Sequence, residues 1–267
     1  MAERPSPFSL YLLRPKLVEM ISVKRIYEVL KDLANKEQRG FVSPTEFNTM
    51  APIAQMAVYN KMWDEVLLAE NIARRNLDGQ RGMSKVDDVR NELAMYISLA
   101  ERTASTGTTL ARGASLFSYP SDYYRLDSIE TAGVEVGGET TSKAIDILYD
   151  PFKLNYIRRS PLSKPTVDRP IALVTTSIEI YPSSIKKARV RYWRIPQGRL
   201  PSDGTVSVSQ PQYNFTVVGG DEVFDSATSI NFDLPQDREA ELVVEMAGMI
   251  GTALRDAALI NYGRQQK

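Results

Sequence analysis

Val23, Ile26, Tyr27, Leu30 and Leu33 recur every three or four positions, which puts them on one face of a helix. Ser22 stands where a cap belongs; the helix is expected to end near Lys36, with Gly40 in the following turn. Val42-Ser43-Pro44-Thr45-Glu46-Phe47 opens a second helix. It has a serine N-cap, proline at the first helical position, glutamate at the third, and Val42 and Phe47 spaced as a hydrophobic staple. The apolar face continues through Met50, Ala51, Ala54, Val58 and Met62 to about Arg75, before Gly79-Gln80-Arg81-Gly82. Pro52 lies inside and is expected to kink the helix, because it deletes one backbone hydrogen bond. A third helix is expected from the Ser84 cap, with Val86, Val89, Leu93, Tyr96 and Ile97 on one face.

Residues 101–120 are rich in Thr, Ser, Ala and Gly and carry no clear period. From Tyr123 onward the pattern shortens to strands: Tyr123–Glu130, Val134–Val136, Ala144–Tyr149, Ile171–Tyr181, Ala188–Ile195, Thr205–Val208, Tyr213–Val218 and Ser229–Phe232. Pro151–Arg159 reads as a short helix between them. A last helix follows Leu234-Pro235, with acids at its start and a stripe of Leu242, Val243, Met246, Met249, Ile250, Ala253 and Ala257. Gly248 and Gly251 within that stripe allow close approach of another backbone, in the core or at a seam between copies. No solenoid repeat is present.

These elements predict an α+β protein: an N-terminal α-hairpin plus third helix, a central antiparallel β-rich part, and a C-terminal helix packing back. The segments are 1–19 as an arm, 20–104 helical, 105–235 β-rich and 236–267 the final helix and polar tail, with 20–267 one composite domain. In the arm, Phe8, Leu10, Tyr11, Leu12 and Leu13 form an apolar patch between Pro7 and Pro15. Flanking proline rules out a long helix there, so the patch either packs on its own domain or docks on a neighbour. The segment does not read as a signal peptide, and synthesis in the cytoplasm is expected.

Composition narrows the chemistry. The 267 residues include no cysteine and no histidine. Disulfides, thiolate nucleophiles, Cys/His zinc sites and Ser-His-Asp catalysis are therefore excluded, leaving carboxylates, lysine or tyrosine for any reaction. Gly137-Gly138-Glu139-Thr140-Thr141-Ser142-Lys143 lacks the Gly-Lys-Ser/Thr ending of a phosphate loop and reads as a hairpin tip. Asp87-Asp88 and Asp221-Glu222 are adjacent pairs whose side chains diverge, poor as metal clamps or acid/base pairs. Arg74-Arg75 and Arg158-Arg159 read as helix-end charges. The sequence presents no catalytic, cofactor-binding or metal-ligating set, and no enzymatic role is expected.

Lys+Arg and Asp+Glu are both 33, so the formal net charge is zero, unlike that of a protein gripping DNA over its whole surface. Positive charge is nevertheless local: Lys186, Lys187, Arg189, Arg191 and Arg194 are expected on the outer face of one strand. That face is either simply solvated or meets an acidic neighbour or DNA.

Three stretches carry a resemblance. Met20-Ile21-Ser22-Val23, Ile26-Tyr27 and Leu33-Ala34-Asn35-Lys36-Glu37-Gln38-Arg39-Gly40-Phe41-Val42-Ser43-Pro44-Thr45-Glu46-Phe47-Asn48 make the first, and Pro120-Ser121-Asp122-Tyr123-Tyr124-Arg125-Leu126-Asp127-Ser128-Ile129 the second. The third runs from Pro165-Thr166 and Arg169-Pro170 through Ile178-Glu179-Ile180-Tyr181-Pro182 to Tyr192-Trp193-Arg194-Ile195-Pro196. With the helix after Phe232-Asp233-Leu234-Pro235, they resemble, over about residues 20–262, virion structural proteins of crAss-like and related short-tailed bacteriophages. The resemblance implies a ring protein of the neck or tail barrel, similar in role to head–tail adaptor or tail tubular proteins. It implies about twelve copies around the DNA channel, partnered by portal protein or adjacent rings, with no membrane and no sequence-specific DNA contact. Such a protein is made in the host cytoplasm and resides in the virion. Residues 1–19 precede the resembling stretch, and Pro52 departs from it. A virion-borne carboxylate hydrolase and a capsid decoration or binding protein are the alternatives.

Overall fold

Residues 20–36, 42–75, 90–105, 109–110, 113–136, 139–202 and 204–253 are described by the structure, a computed structural model. The architecture is α+β, with helices toward both ends and a largely antiparallel centre. The chain divides into two compact units. One comprises the chain up to Glu92 together with that from Pro196 onward; the other is Leu93–Ile195. The expected β-rich part, 105–235, is thus shared between units.

In the first unit, α1 (Val23–Lys36) and α2 (Pro44–Arg75) form the expected hairpin, and α4 (Glu239–Ala253) packs on both. Ile26, Tyr27, Leu30 and Ala34 of α1 are buried, as are Phe47, Ala51, Ala54, Val58, Met62, Val66 and Ala69 of α2. From α4 come Leu242, Met246, Ala247 and Ile250. The α2 N-terminus forms the expected capping box: the Glu46 amide donates to Ser43 Oγ at 3.2 Å, and the Ser43 amide donates to Glu46 Oε2 at 3.1 Å. Val42 and Phe47, the staple pair, are both buried. α2 continues through Pro52 as one element.

Between α2 and α4 in sequence, the same unit holds a small sheet of β12 (Val206–Ser207), β11 (Gly198–Arg199) and β15 (Asn231–Phe232), and a hairpin of β13 (Phe215–Val218) and β14 (Asp221–Phe224). Tyr213 stacks on Tyr27 with centroids 4.1 Å apart, and Phe47 meets the edges of Tyr27 and Phe232 at 5.3 and 6.4 Å. Such pairs contribute about 0.5–1.5 kcal/mol each beyond the area they bury.

The second unit has three layers. One sheet runs β1 (Ile97–Thr103), β10 (Lys187–Arg194), β4 (Tyr123–Thr131). The other runs β2 (Thr109–Leu110), β3 (Ala114–Phe117), β9 (Ile178–Tyr181), β8 (Ile171–Val174), β7 (Asp146–Leu148). Phe117, Ile129, Ala172, Ile178, Ile180, Ala188, Val190 and Tyr192 form one core. A second core, of Ala114, Leu154, Ile171, Leu173 and Tyr181, includes Leu154 of α3 (Pro151–Arg159). Ile-Ala-Leu-Val of β8 is therefore buried at every position, because alternate residues serve the two cores. β7 and β8 pair in parallel, with α3 as the crossover between them. A separate hairpin joins β5 (Val134–Val136) and β6 (Glu139–Thr141).

Three expectations are corrected. Residues 90–93 are helical and Ala94–Tyr96 a 3-10 turn, but Ile97 starts a strand instead of extending the third helix. The alternation was hidden because the outward positions of that strand, Ile97 and Leu99, are themselves apolar. Ile171–Tyr181 is two strands folded on each other about a turn in which the Thr175 amide donates to the Ser177 carbonyl. The featureless stretch 101–120 supplies β3, whose Ala114, Ser115 and Phe117 are buried. Gly40, Gly79-Gln80-Arg81-Gly82, Ser84, Val86, Val89, Gly137-Gly138 and Ala257 lie outside the described residues.

Candidate interaction surfaces

The basic strand is β10. Its alternation buries Ala188, Val190, Tyr192 and Arg194 and turns Lys187, Arg189, Arg191 and Trp193 outward; Lys186, just before it, is exposed. Arg194 thus corrects the expectation for that residue. Period two assigns it to the inner face, where its guanidinium lies 5.3 Å from the centre of the Tyr96 ring.

The register shows what surrounds each cation. Arg189 stands opposite Glu101 of β1 and Glu130 of β4, so acids flank it on both sides. Arg191 stands opposite Leu99 and Ser128, and Lys187 opposite Thr103. Trp193 stands opposite Ile97 and Arg125. Directly opposed side chains lie about 4.5–5.5 Å apart, so pairing with acid is built in for Arg189 but not for Arg191. Leu99 is 61% and Ile97 40% exposed, which makes this face a mixture of apolar and basic side chains.

A second surface was not legible as such in the chain. β13 and β14 pair only with each other among the described strands, and Gly219 and Gly220 join them with φ of 67° and 100°. Positive φ at both turn residues matches the strand twist, and glycine adopts it without a Cβ clash. Phe215, Val217, Val218 and Val223 are all exposed, Val217 by 66% and Val218 by 61%. The pairs Val217↔Glu222 and Thr216↔Val223 fall on opposite faces, so neither face is a purely polar, solvent-facing one. The signal was Gly-Gly between two short apolar runs, a two-residue hairpin loop.

A third surface lies on and beside α3. Asp150 caps it by accepting from the Phe152 amide at 2.8 Å. Phe152 and Tyr156, one turn apart, are each more than three-quarters exposed; Tyr149 and Leu162 are exposed beside them in sequence. Arg158 lies over the Tyr181 ring at 5.1 Å.

The buried carboxylates have structural partners. Asp233 accepts from Arg199 Nε at 2.6 Å and from the Gln197 amide at 3.2 Å, and Glu245 pairs with Lys61. Arg238 draws in Glu65, Glu92 and Glu241, with contacts of 2.8–3.1 Å. These acids hold it in its charged form, Glu65 most strongly. Among the described residues no cluster of three acids is arranged to hold a metal ion. Asp87-Asp88 lies outside them; Asp221-Glu222 falls on the exposed hairpin. Phe8, Leu10, Tyr11, Leu12 and Leu13 also lie outside the described residues.

No family model matches the chain, and no curated protein is similar to it. Function must therefore be argued from the surfaces. Among the described residues no helix is long and apolar enough to cross a membrane.

Proposed function

We propose that the chain is a structural subunit of a closed ring in the neck or tail barrel of a short-tailed bacteriophage. In this role it links portal or head to tail and forms part of the conduit for DNA exit. The observation that carries the reading is the β13–β14 hairpin, which exposes Phe215, Val217, Val218 and Val223. A two-stranded hairpin is marginal on its own in water, and an exposed apolar surface of this kind marks a contact site. The resemblance over residues 20–262 supplies the setting, a neck or tail ring of about twelve copies.

The mechanism is mechanical. Each copy buries surface against two identical neighbours through two different patches, and such heterologous contacts close into a ring when the rotation per copy divides a full turn. The zero net charge suits this role, because closely packed copies do not accumulate mutual repulsion. DNA passes through the channel without being read. Portal protein or an adjacent ring occupies the faces above and below.

Negative-stain electron microscopy of the purified untagged protein, alone and with the portal protein of the same phage, tests this. The expected images are end-on rings with a central opening. Isolated single copies under both conditions would contradict the reading and favour a decoration protein.

A further inference from the structure

We infer that the β13–β14 hairpin of one copy lies on the outer face of the β1–β10–β4 sheet of the next copy, as the contact that closes the ring. The inference rests on the ring reading and names its two surfaces.

Three observations on this chain carry it. The first is charge. β10 turns Lys187, Arg189 and Arg191 to the outer face of the sheet, of which Arg189 is met by Glu101 and Glu130; from Phe215 to Asp225 the chain has Asp221, Glu222 and Asp225 and no base. Arg191, with Leu99 and Ser128 opposite it, is the outward cation of the strand best placed to meet Glu222 of a neighbour. The second is apolar matching. Leu99 and Ile97 lie beside Arg191 and Trp193 on the sheet, and Val217 lies opposite Glu222 on the hairpin, so each surface presents an apolar group next to its charge. The third is size. At about 3.3 Å per residue the hairpin is roughly 13 Å long, and three strands about 4.8 Å apart make a face roughly 10 Å wide and 23 Å long. A hairpin fits on that face without displacing any strand.

The contact is heterologous, since hairpin and sheet are different patches of one chain. A contact of that kind, repeated from copy to copy, propagates around a ring. Electrostatic complementarity sets the register of the approach, and the valines and leucine supply the buried area.

The absence of cysteine from the whole chain makes the test clean. Leu99→Cys and Val217→Cys are placed in separate full-length chains, mixed, and oxidised mildly. Both positions are exposed, so neither substitution disturbs a core. The expected result is a covalent dimer in the mixture that neither variant gives alone, and a ladder of multimers from the double variant. Leu162→Cys mixed with Val217→Cys, the control, gives no more than background. A second arm uses charge: Glu222→Lys or Arg191→Glu each lowers assembly at least tenfold, and combining them restores it. Solution mass is measured on the same samples. Rings that form without the Leu99–Val217 cross-link overturn this contact while leaving the ring reading intact. A Val217–Val217 dimer, or a double variant that cross-links only within one chain, also overturns it. Absence of any oligomer, alone or with portal, overturns both.

Discussion

Asn48 and Tyr213, 165 residues apart in the chain, exchange two hydrogen bonds: Asn48 Nδ2 donates to the Tyr213 carbonyl at 2.9 Å, and the Tyr213 amide donates to Asn48 Oδ1 at 2.7 Å. Two turns further along α2, Gln55 repeats the arrangement. Its Nε2 donates to the Gln197 carbonyl at 3.0 Å and its Oε1 accepts from the Asp233 amide at 2.8 Å. One face of one helix thus pairs with irregular backbone that has no complete sheet to join, and the return segment before and after the β13–β14 hairpin is fixed to α2 at both points. Pro52 lies between the two amides and donates nothing to the Asn48 carbonyl, its usual partner four residues back.

Replacing Asn48 with alanine leaves the amide and carbonyl of Tyr213 without this partner. Each half-buried polar group left unmatched costs about 1–3 kcal/mol. Hydrogen exchange is expected to speed up at the amides of Tyr213 and Asn214 while those of Val190 and Tyr192, in the other unit, keep their protection. Unchanged exchange at Tyr213 would show that the pairing does not hold the hairpin base.

Asp233 is fully buried and faces Arg199, whose own side chain is largely buried. Arg199→Met removes the cation and strands the carboxylate, which is expected to cost about 3–5 kcal/mol. Asp233→Asn keeps the shape and costs less. Denaturant midpoints for the two variants check the order; equal losses would contradict it.

Gly198 lies where a Cβ would come 2.1 Å from Ile230 Cγ2 and 2.7 Å from the Ser209 carbonyl oxygen. The second neighbour is backbone and yields only by moving a strand. Gly198→Ala is expected to lose about 1–3 kcal/mol in thermal or denaturant unfolding, as overpacking does elsewhere. A variant as stable as the parent would place β11 further from Ser209 than it is here.

Tyr27, Tyr119 and Tyr192 are each raised from 10.0 to about 12, burial being the largest cause; for Tyr192 the bond it donates to Asp122 comes next. A folded value above the unfolded one means that the folded state holds its proton more tightly. Their contribution to stability is therefore complete below pH 10 and is lost as pH rises toward 12. Unfolding midpoints measured across that range should fall, and Tyr192→Phe should fall less steeply. At the acid end, Ser43 hydrogen bonds lower Glu46 below 4.5, so the capping box stabilises above that value and fades as pH drops through the lowered one. Ser43→Ala should cost about 1 kcal/mol near neutrality and remove this acid dependence.

The helical parts were readable because their signals are local. The Ser43–Glu46 box and the stripes on α1, α2 and α4 depend on residues a few positions apart. The boundaries of the two units were not readable, because the bonds that set them join Asn48 to Tyr213 and Gln55 to Asp233 across more than 150 residues. β1 was missed because its apolar side chains face outward, the reverse of the usual rule, and that reversal makes Leu99 a contact candidate. The basic face was legible at Lys187, Arg189 and Arg191 by alternation. Its pairing with Glu101 and Glu130 needed the register.

The central claim, that this chain is a ring subunit, is tested most directly by the solution mass of the full-length untagged protein, measured by light scattering alone and with its portal protein. A single discrete species near twelve times the 29.9 kDa chain mass, alone or nucleated by portal, is the predicted result. A 29.9 kDa species that persists at high concentration and ignores portal would contradict it.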